Sequence, residues 1–359
     1  MTRSAFLLVP VLCASIGLAS CTTTPRRAVP SQARTTAAAP SATTSTPAAP
    51  PPPQEFTLAV AGDVHFTGRT APLLRDPATA IGPLAPVLQG ADLALLNLET
   101  AVTERGTPEP KEFHFRAPAT AYAAVRAAGV DAVSLANNHV LDYGQVGLSD
   151  TLDNATAAGM PVFGAGRDAR AAYAPWITTV RGTRVAVLGL SQITTLASTW
   201  GARDDRAGVA LSFDADRVRA AVALARSQAD VVIVFMHWGP EGDGCPSARQ
   251  KDFLPILVSA GVDVVLGAHA HVLQGVGWSG RTFVAYGMGN FVWYGTSRST
   301  ETGVLTLTLR GRDVVRWELA PAVVSATGQP VPVTGETAER ARSRFSGLRG
   351  CAGLAPTPS

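Results

Sequence analysis

Beyond residue 55 the chain alternates short, unbroken apolar runs with longer stretches of helical period. The runs over 56–61, 93–98, 131–135, 185–190, 231–236 and 262–266 predict strands covered on both faces, since a half-exposed strand would alternate with polar residues. Apolar residues at helical spacing predict helices over 119–128, 146–158, 214–228 and 251–259, two of which meet a stop at Gly129 and Gly159. Strand then helix, repeated, is the rhythm of an α/β fold built in layers. The last third differs. Runs over 283–286, 303–309 and 314–319 succeed one another with short connections and predict antiparallel strands. Past Pro321 the pattern thins to turns and one short helix over 337–345, and no internal repeat is present.

The residues that follow the apolar runs are more specific than the runs. Gly62-Asp63-Val64-His65, Asn97-Leu98-Glu99-Thr100, Ala136-Asn137-Asn138-His139, Met236-His237-Trp238-Gly239 and Gly267-Ala268-His269-Ala270-His271 all stand at predicted strand ends. In open α/β sheets, ligands bind beyond the carboxyl ends of the strands, so these clusters are expected to converge in one crevice. In extended chain, residues two apart project the same way. Asp63 with His65, and His269 with His271, are therefore expected to point at one site as pairs.

Asp63, His65, Glu99, Asn138, His237, His269 and His271 make seven ligand-capable groups. A single tetrahedral zinc takes only about three or four. The set suits two divalent ions roughly 3.5–4 Å apart, sharing a carboxylate. Nitrogen and oxygen donors without cysteine leave manganese, iron, zinc and calcium open. His139 is left over as a candidate general acid, with Asp142 placed to accept from its other ring nitrogen and fix the tautomer. Asn137, Arg116 and Glu241 are candidate substrate contacts, Arg116 because a guanidinium fork matches carboxylate and phosphate. His114, before a predicted helix, has no assigned role.

Composition narrows the setting. Apolar residues are 46% and charged residues 16% of the chain, enough for a large core and unlike a disordered chain. The net charge of +3 comes from scattered arginines, with no basic stripe interleaved with aromatics, so a nucleic-acid partner finds no support. Residues 1–20 read as an export signal, with Arg3 before an apolar run and small residues at its end. Cys21 directly after Leu18-Ala19-Ser20 resembles a bacterial lipobox and is the expected lipidation site. Residues 21–54, rich in Thr, Ser, Ala and Pro, read as a tether that buries no core. The expected arrangement is a domain over 55–320 with a tail over 321–359, held at the extracytoplasmic face of the cell membrane. Cys245 and Cys351 remain in the exported part and are expected to pair and pin that tail.

The ordered motifs AGDVHF, LLNLET, FRAP, GVDAVSLANNHVLDYG, HWGPE, GAHAHVLQG and YGMGNF resemble the CapA family of poly-gamma-glutamate capsule-synthesis proteins, part of the calcineurin-like metallophosphoesterase superfamily. The likeness covers about residues 56–295. It implies a four-layer α-β-β-α sandwich with a dinuclear metal site at one edge. It further implies Asp63 as bridging ligand, His65, Asn138, His237, His269 and His271 as further ligands, and His139 as the acid. Two positions depart from the superfamily pattern. Glu99 stands where a bridging Asp after Gly is usual, and Val140 follows the Asn-His pair where an acid is usual, with Asp142 as its substitute. The resemblance implies a metal-dependent, phosphoesterase-like hydrolase acting on an anionic polymer or phosphoester in capsule or envelope metabolism, working beside capsule-synthesis membrane partners. The alternative it leaves is a non-catalytic accessory protein that binds an anionic polymer during synthesis or export.

Overall fold

The computed structural model describes residues 54–294 and 300–359. Cys21, the export signal over 1–20 and all but the last residue of the 21–54 tether lie outside the described residues.

An eight-stranded and a six-stranded sheet carry the fold. In the first, the order is Pro330–Pro332, Asp313–Val324, Glu301–Arg310, Glu55–Val64, Leu93–Leu98, Ala132–Ser134 and Val162–Phe163, with Asn290–Val292 added alongside Glu55–Val64. In the second, it is Val276–Ser279, Thr282–Ala285, Val264–His269, Val231–Trp238, Thr183–Ser191 and Trp176–Val180. Glu55–Val64, Leu93–Leu98 and Ala132–Ser134 run parallel to one another, as do Thr183–Ser191, Val231–Trp238 and Val264–His269. Parallel strands end at the same edge, which is why their polar clusters can gather there.

The unbroken apolar runs have a simple cause. Phe56, Leu58 and Val60 face a core shared with Ile233, Phe235 and Leu266 of the other sheet. Ala59 and Ala61 face outward, to a core with Tyr122, Val125 and Leu148 of the helices Thr120–Ala127 and Gly144–Ala158. Val232, Val234 and Met236 face the other way, to Val222 and Leu257 of the helices Ala215–Gln228 and Ala248–Ala260. Each central strand is thus apolar on both faces, and the molecule is a four-layer α-β-β-α sandwich. The outer helices are well terminated: Asp214 accepts from the backbone of Asp216 and Arg217, and Ser247 with Gln250 forms a capping box. Among the described residues, no helix is long and apolar enough to cross a membrane.

The C-terminal third corrects the expectation of a simple antiparallel run. Thr282–Ala285 joins the second sheet, parallel to Val264–His269, and forms a hairpin with Val276–Ser279. Glu301–Arg310 and Asp313–Val324 pair antiparallel in the first sheet, as expected. The boundary expected at residue 320 falls inside Asp313–Val324, and Pro330–Pro332 extends the same sheet. The strand Trp176–Val180 gave no apolar run because it is a sheet edge with alternately exposed residues. Cys245 and Cys351 form a disulfide.

Candidate metal centre

The donors stand on strand ends that approach unusually closely. A Cβ on Gly62 would lie 1.9 Å from the carbonyl oxygen of Gly289, and one on Gly267 would lie 1.9 Å from that of Tyr286. Glycine at these positions lets neighbouring backbones close up beneath the site. Asp63 lies in register with Asn97 on one side and Asn290 on the other. Asn97 donates through Nδ2 to Asp63 Oδ1 at 2.8 Å, and the same nitrogen stands 3.3 Å from Glu99 Oε2.

Three overlapping groups of donor atoms lie within 4.8 Å of one another: Glu99, His237 and His269; Asp63, Glu99 and His271; and Glu241, His269 and His271. Asn138 joins the first, its Oδ1 2.6 Å from His237 Nε2. From the second sheet, the His269 backbone N–H and the His271 Nδ1 each meet Asp63 Oδ2 at 3.1 Å. Glu99 and His269 are buried, yet Glu99 Oε1 and His269 Nδ1 have no hydrogen-bond partner among the described residues. Buried polar atoms without partners are costly and uncommon. Two of them, in a pair of groups made only of imidazole and carboxylate, fit first-row divalent cations.

His269 and His271 do not converge as an extended pair. Their φ angles are 84° and 58°, in the left-handed region, and a tight turn rather than strand alternation brings both rings to the cluster. His65 takes a position apart from the three donor groups. Its ring stacks on Phe115 at 4.4 Å and meets Trp293 edge-on at 4.5 Å, and its Nδ1 and Nε2 face the backbone N–H groups of Thr67 and Tyr294. Phe115 stacks with its other neighbour His139 at 3.8 Å, and Trp293 meets His271 at a tilt, with ring centres 4.2 Å apart, so aromatic rings wall one side of the centre.

His139 is held through its far nitrogen. Asp142 Oδ2 lies 2.6 Å from His139 Nδ1 and accepts from the Phe115 backbone at 2.6 Å, while Asp142 Oδ1 accepts from Lys111 Nζ at 2.6 Å. His139 Nε2 faces Glu99 Oε1 at 3.9 Å. Lys111 is a participant that sequence reasoning overlooked; its signal was the scarcity of lysine in this chain.

The candidate substrate contacts are redistributed. Asn137 has nothing left to offer a substrate: its Oδ1 accepts from His139 and Val140, and its Nδ2 donates to Leu98 O and Asn97 Oδ1. That Asx turn shapes the loop that presents Asn138 and His139. The Arg116 guanidinium lies on the Tyr143 ring, 3.4 Å from its centre, and donates to Arg105 O, so it braces a turn. Glu241 stands nearest to its expected use, with 62% of its side chain exposed and Oε1 3.9 Å from His271 Nε2. His114 Nε2 is taken by the Glu109 carbonyl at 2.6 Å.

Burial governs the charges. Desolvation, reinforced by neighbouring imidazoles, holds His65 and His237 well below the usual histidine range and brings His269 down to about 3. Desolvation and then Lys111 do the same to His139. Neutral imidazole is the form that donates a lone pair to a cation. Burial and then the Asp63 charge push Glu99 well above the carboxylate range, and burial raises Asp142 to about 6 against the pull of Lys111.

The chain is thus a four-layer α-β-β-α sandwich with imidazole and carboxylate donors gathered at its strand ends. A family model described as "Bacterial capsule synthesis protein PGA_cap" matches residues 57–294. The chain belongs to that family. It is 28% identical over 292 residues to the capsule biosynthesis protein CapA of Bacillus anthracis, covering 78% of this chain and 70% of that one. It is 33% identical over 210 residues to a probable polyglutamine synthesis accessory protein of Mycobacterium tuberculosis, covering 56% of this chain and 55% of that one. A solved phosphatase structure from Mycoplasma pneumoniae aligns with a TM-score of 0.48 and 13% identity, over 76% of this chain and 94% of that one.

Proposed function

We propose that this chain is a lipid-anchored, extracytoplasmic hydrolase whose dinuclear metal centre cuts a bond in poly-gamma-glutamate or another anionic polymer or phosphoester of the capsule or envelope. The observation that carries the reading is the pair of buried, unpartnered donor atoms, Glu99 Oε1 and His269 Nδ1, inside overlapping groups that share Glu99, His269 and His271. Divalent cations held there would supply Lewis acidity and an activated water. The chain's own residues supply the rest. Asp142 engages His139 Nδ1, so Nε2, on the Glu99 side, is the ring atom free to take up a proton and hand it to a leaving group. Lys111 and the Phe115 N–H hold Asp142 in place. The capsule setting is supported by the names of the relatives, and the anchor by the lipobox-like Leu18-Ala19-Ser20-Cys21.

A second reading is a protein that binds the polymer without cutting it, supported by the word "accessory" in the name of the mycobacterial relative. The test is metal analysis of the purified full-length chain, with turnover of a phosphodiester and of poly-gamma-glutamate, beside Asp63→Ala and His271→Ala. Bound metal with turnover lost in both variants is expected. Bound metal and polymer binding without turnover selects the second reading, and absence of bound metal removes the first.

A further inference from the structure

Asn290, in the YGMGNF motif, is 1% exposed, and both ends of its carboxamide lack a hydrogen-bond partner among the described residues. The strand register says where that amide points. Asp63 pairs in parallel with Asn290 on one side and with Asn97 on the other. Residues matched in a parallel register leave the sheet on the same face. Phe291, the next residue along the strand, belongs to the core on the opposite face. Asn290, Asp63 and Asn97 thus form a row along the sheet edge, facing the second sheet. Asn97 uses its place in that row to donate to Asp63 Oδ1. Asn290, in the equivalent place, makes no side-chain hydrogen bond among the described residues.

An idle amide at such depth is a poor structural choice, since leucine has nearly its shape and none of its desolvation cost. We propose that Asn290 is a further binding residue of the centre. It presents Oδ1 to the cation taken by Asp63, Glu99 and His271, and Nδ2 to an oxygen of the phosphate or carboxylate bound there. An amide has one acceptor and one donor group, which suits a cation beside an oxyanion. The inference rests on the metal-centre reading above.

The experiment uses the full-length chain, stripped with chelator. Mn2+ binding and inorganic phosphate binding to the Mn2+-loaded protein are measured by calorimetry, and the melting temperature of the metal-free form is recorded. Asn290→Leu is expected to leave the metal-free form as stable or raise its Tm by about 2–4 °C. It should weaken one Mn2+ site by about tenfold or more, with phosphate binding lost. Mn2+ and phosphate affinities within about twofold of wild type overturn the proposal. Asn290→Asp, nearly isosteric, keeps the question decisive if the leucine variant folds poorly. It should tighten Mn2+ by about tenfold and weaken phosphate, because a carboxylate replaces both the neutral oxygen and the donor. No change in either sinks the idea. A wild-type chain that binds no Mn2+ overturns the metal-centre reading itself, whereas a wild type that binds beside indifferent Asn290 variants overturns only this inference.

Discussion

Replacing both Cys245 and Cys351 with serine removes a crosslink that spans a sequence separation of 106. In the chain-entropy treatment, a closed loop of that length restricts the unfolded state by about 4.8 kcal/mol at 25 °C. The folded state keeps its other reasons to hold the tail. Phe345, Ala352 and Leu354 are buried, and Trp278 and Ala355 exchange backbone hydrogen bonds at 2.9 and 2.8 Å. The loss therefore falls on the unfolded ensemble, which expands once the link is gone. With an unfolding entropy of about 2.1 cal/mol/K per residue over roughly 300 residues, the melting temperature should drop by roughly 7–8 °C. The assay is urea unfolding of the full-length chain by tryptophan fluorescence, comparing the oxidised wild type, the double serine variant and the reduced wild type. The midpoint should fall and the urea slope should rise, because more surface is exposed on unfolding. A midpoint shift worth less than about 1 kcal/mol refutes the reasoning. So does protease cleavage confined to residues 333–359 with the core transition unmoved, because the tail would then be a local unit rather than part of one cooperative fold.

Two further outcomes follow from the packing and the buried charges. In the metal-free chain, His65, His139, His237 and His269 hold fewer protons folded than unfolded below about pH 6.5, while Glu99 and Asp142 hold more folded than unfolded above about pH 4.3. Four groups against two leave the unfolded chain with the larger proton uptake, so stability should rise with pH across that window, by up to about 2.7 kcal/mol per unit, and turn down above it, where Glu99 keeps folded a proton that the unfolded chain has lost; urea midpoints in chelator that stay flat or fall from about pH 5 to 6.5 contradict this. Gly62→Ala places a methyl 1.9 Å from a backbone oxygen that cannot swing away, so a loss above about 3 kcal/mol is expected, whereas Gly182→Ala meets no atom within 4 Å and costs only about 1–2 kcal/mol for its φ of 82°; equal melting temperatures for the two variants exclude the close approach at Gly62.

The layers were legible because burial on both faces leaves a mark in sequence. Residues 231–236 form an unbroken apolar run since Ile233 and Val234 pack on opposite cores, and Val60 and Ala61 likewise divide between two cores. Strand direction left no such mark. Thr282–Ala285 has the composition of its neighbours further along, and only its pairing with Val264–His269 fixes it as parallel and in the other sheet. Trp176–Val180 was invisible for the opposite reason, its exposed edge residues diluting the apolar signal. At the site, residue chemistry picked out Asp63, Glu99, His237, His269 and His271, which the fold brings together. Lys111 and Asn290 were not singled out because each acts through neighbours remote in sequence: Lys111 through Asp142 and Asn138, Asn290 through its register with Asp63.

The period-of-two argument for the paired donors fails in an instructive way. Between Asp63 and Val64 the register against Asn290–Val292 shifts, so His65 no longer copies the direction of Asp63 and turns into the aromatic wall. At His269 and His271 both rings do arrive, by way of backbone that histidine rarely adopts. Left-handed φ costs an L-residue about 1–2 kcal/mol, and it persists only where the surroundings over-determine it. Here they do: His269 N–H and His271 Nδ1 both meet Asp63 Oδ2, and Gly242 N–H fastens Ala270 O between them at 2.8 Å. Glycine would relax the turn and remove the imidazoles with it. Local preference and site geometry disagree at these two residues, and the side chains retained against that preference are the ones whose lone pairs the centre requires.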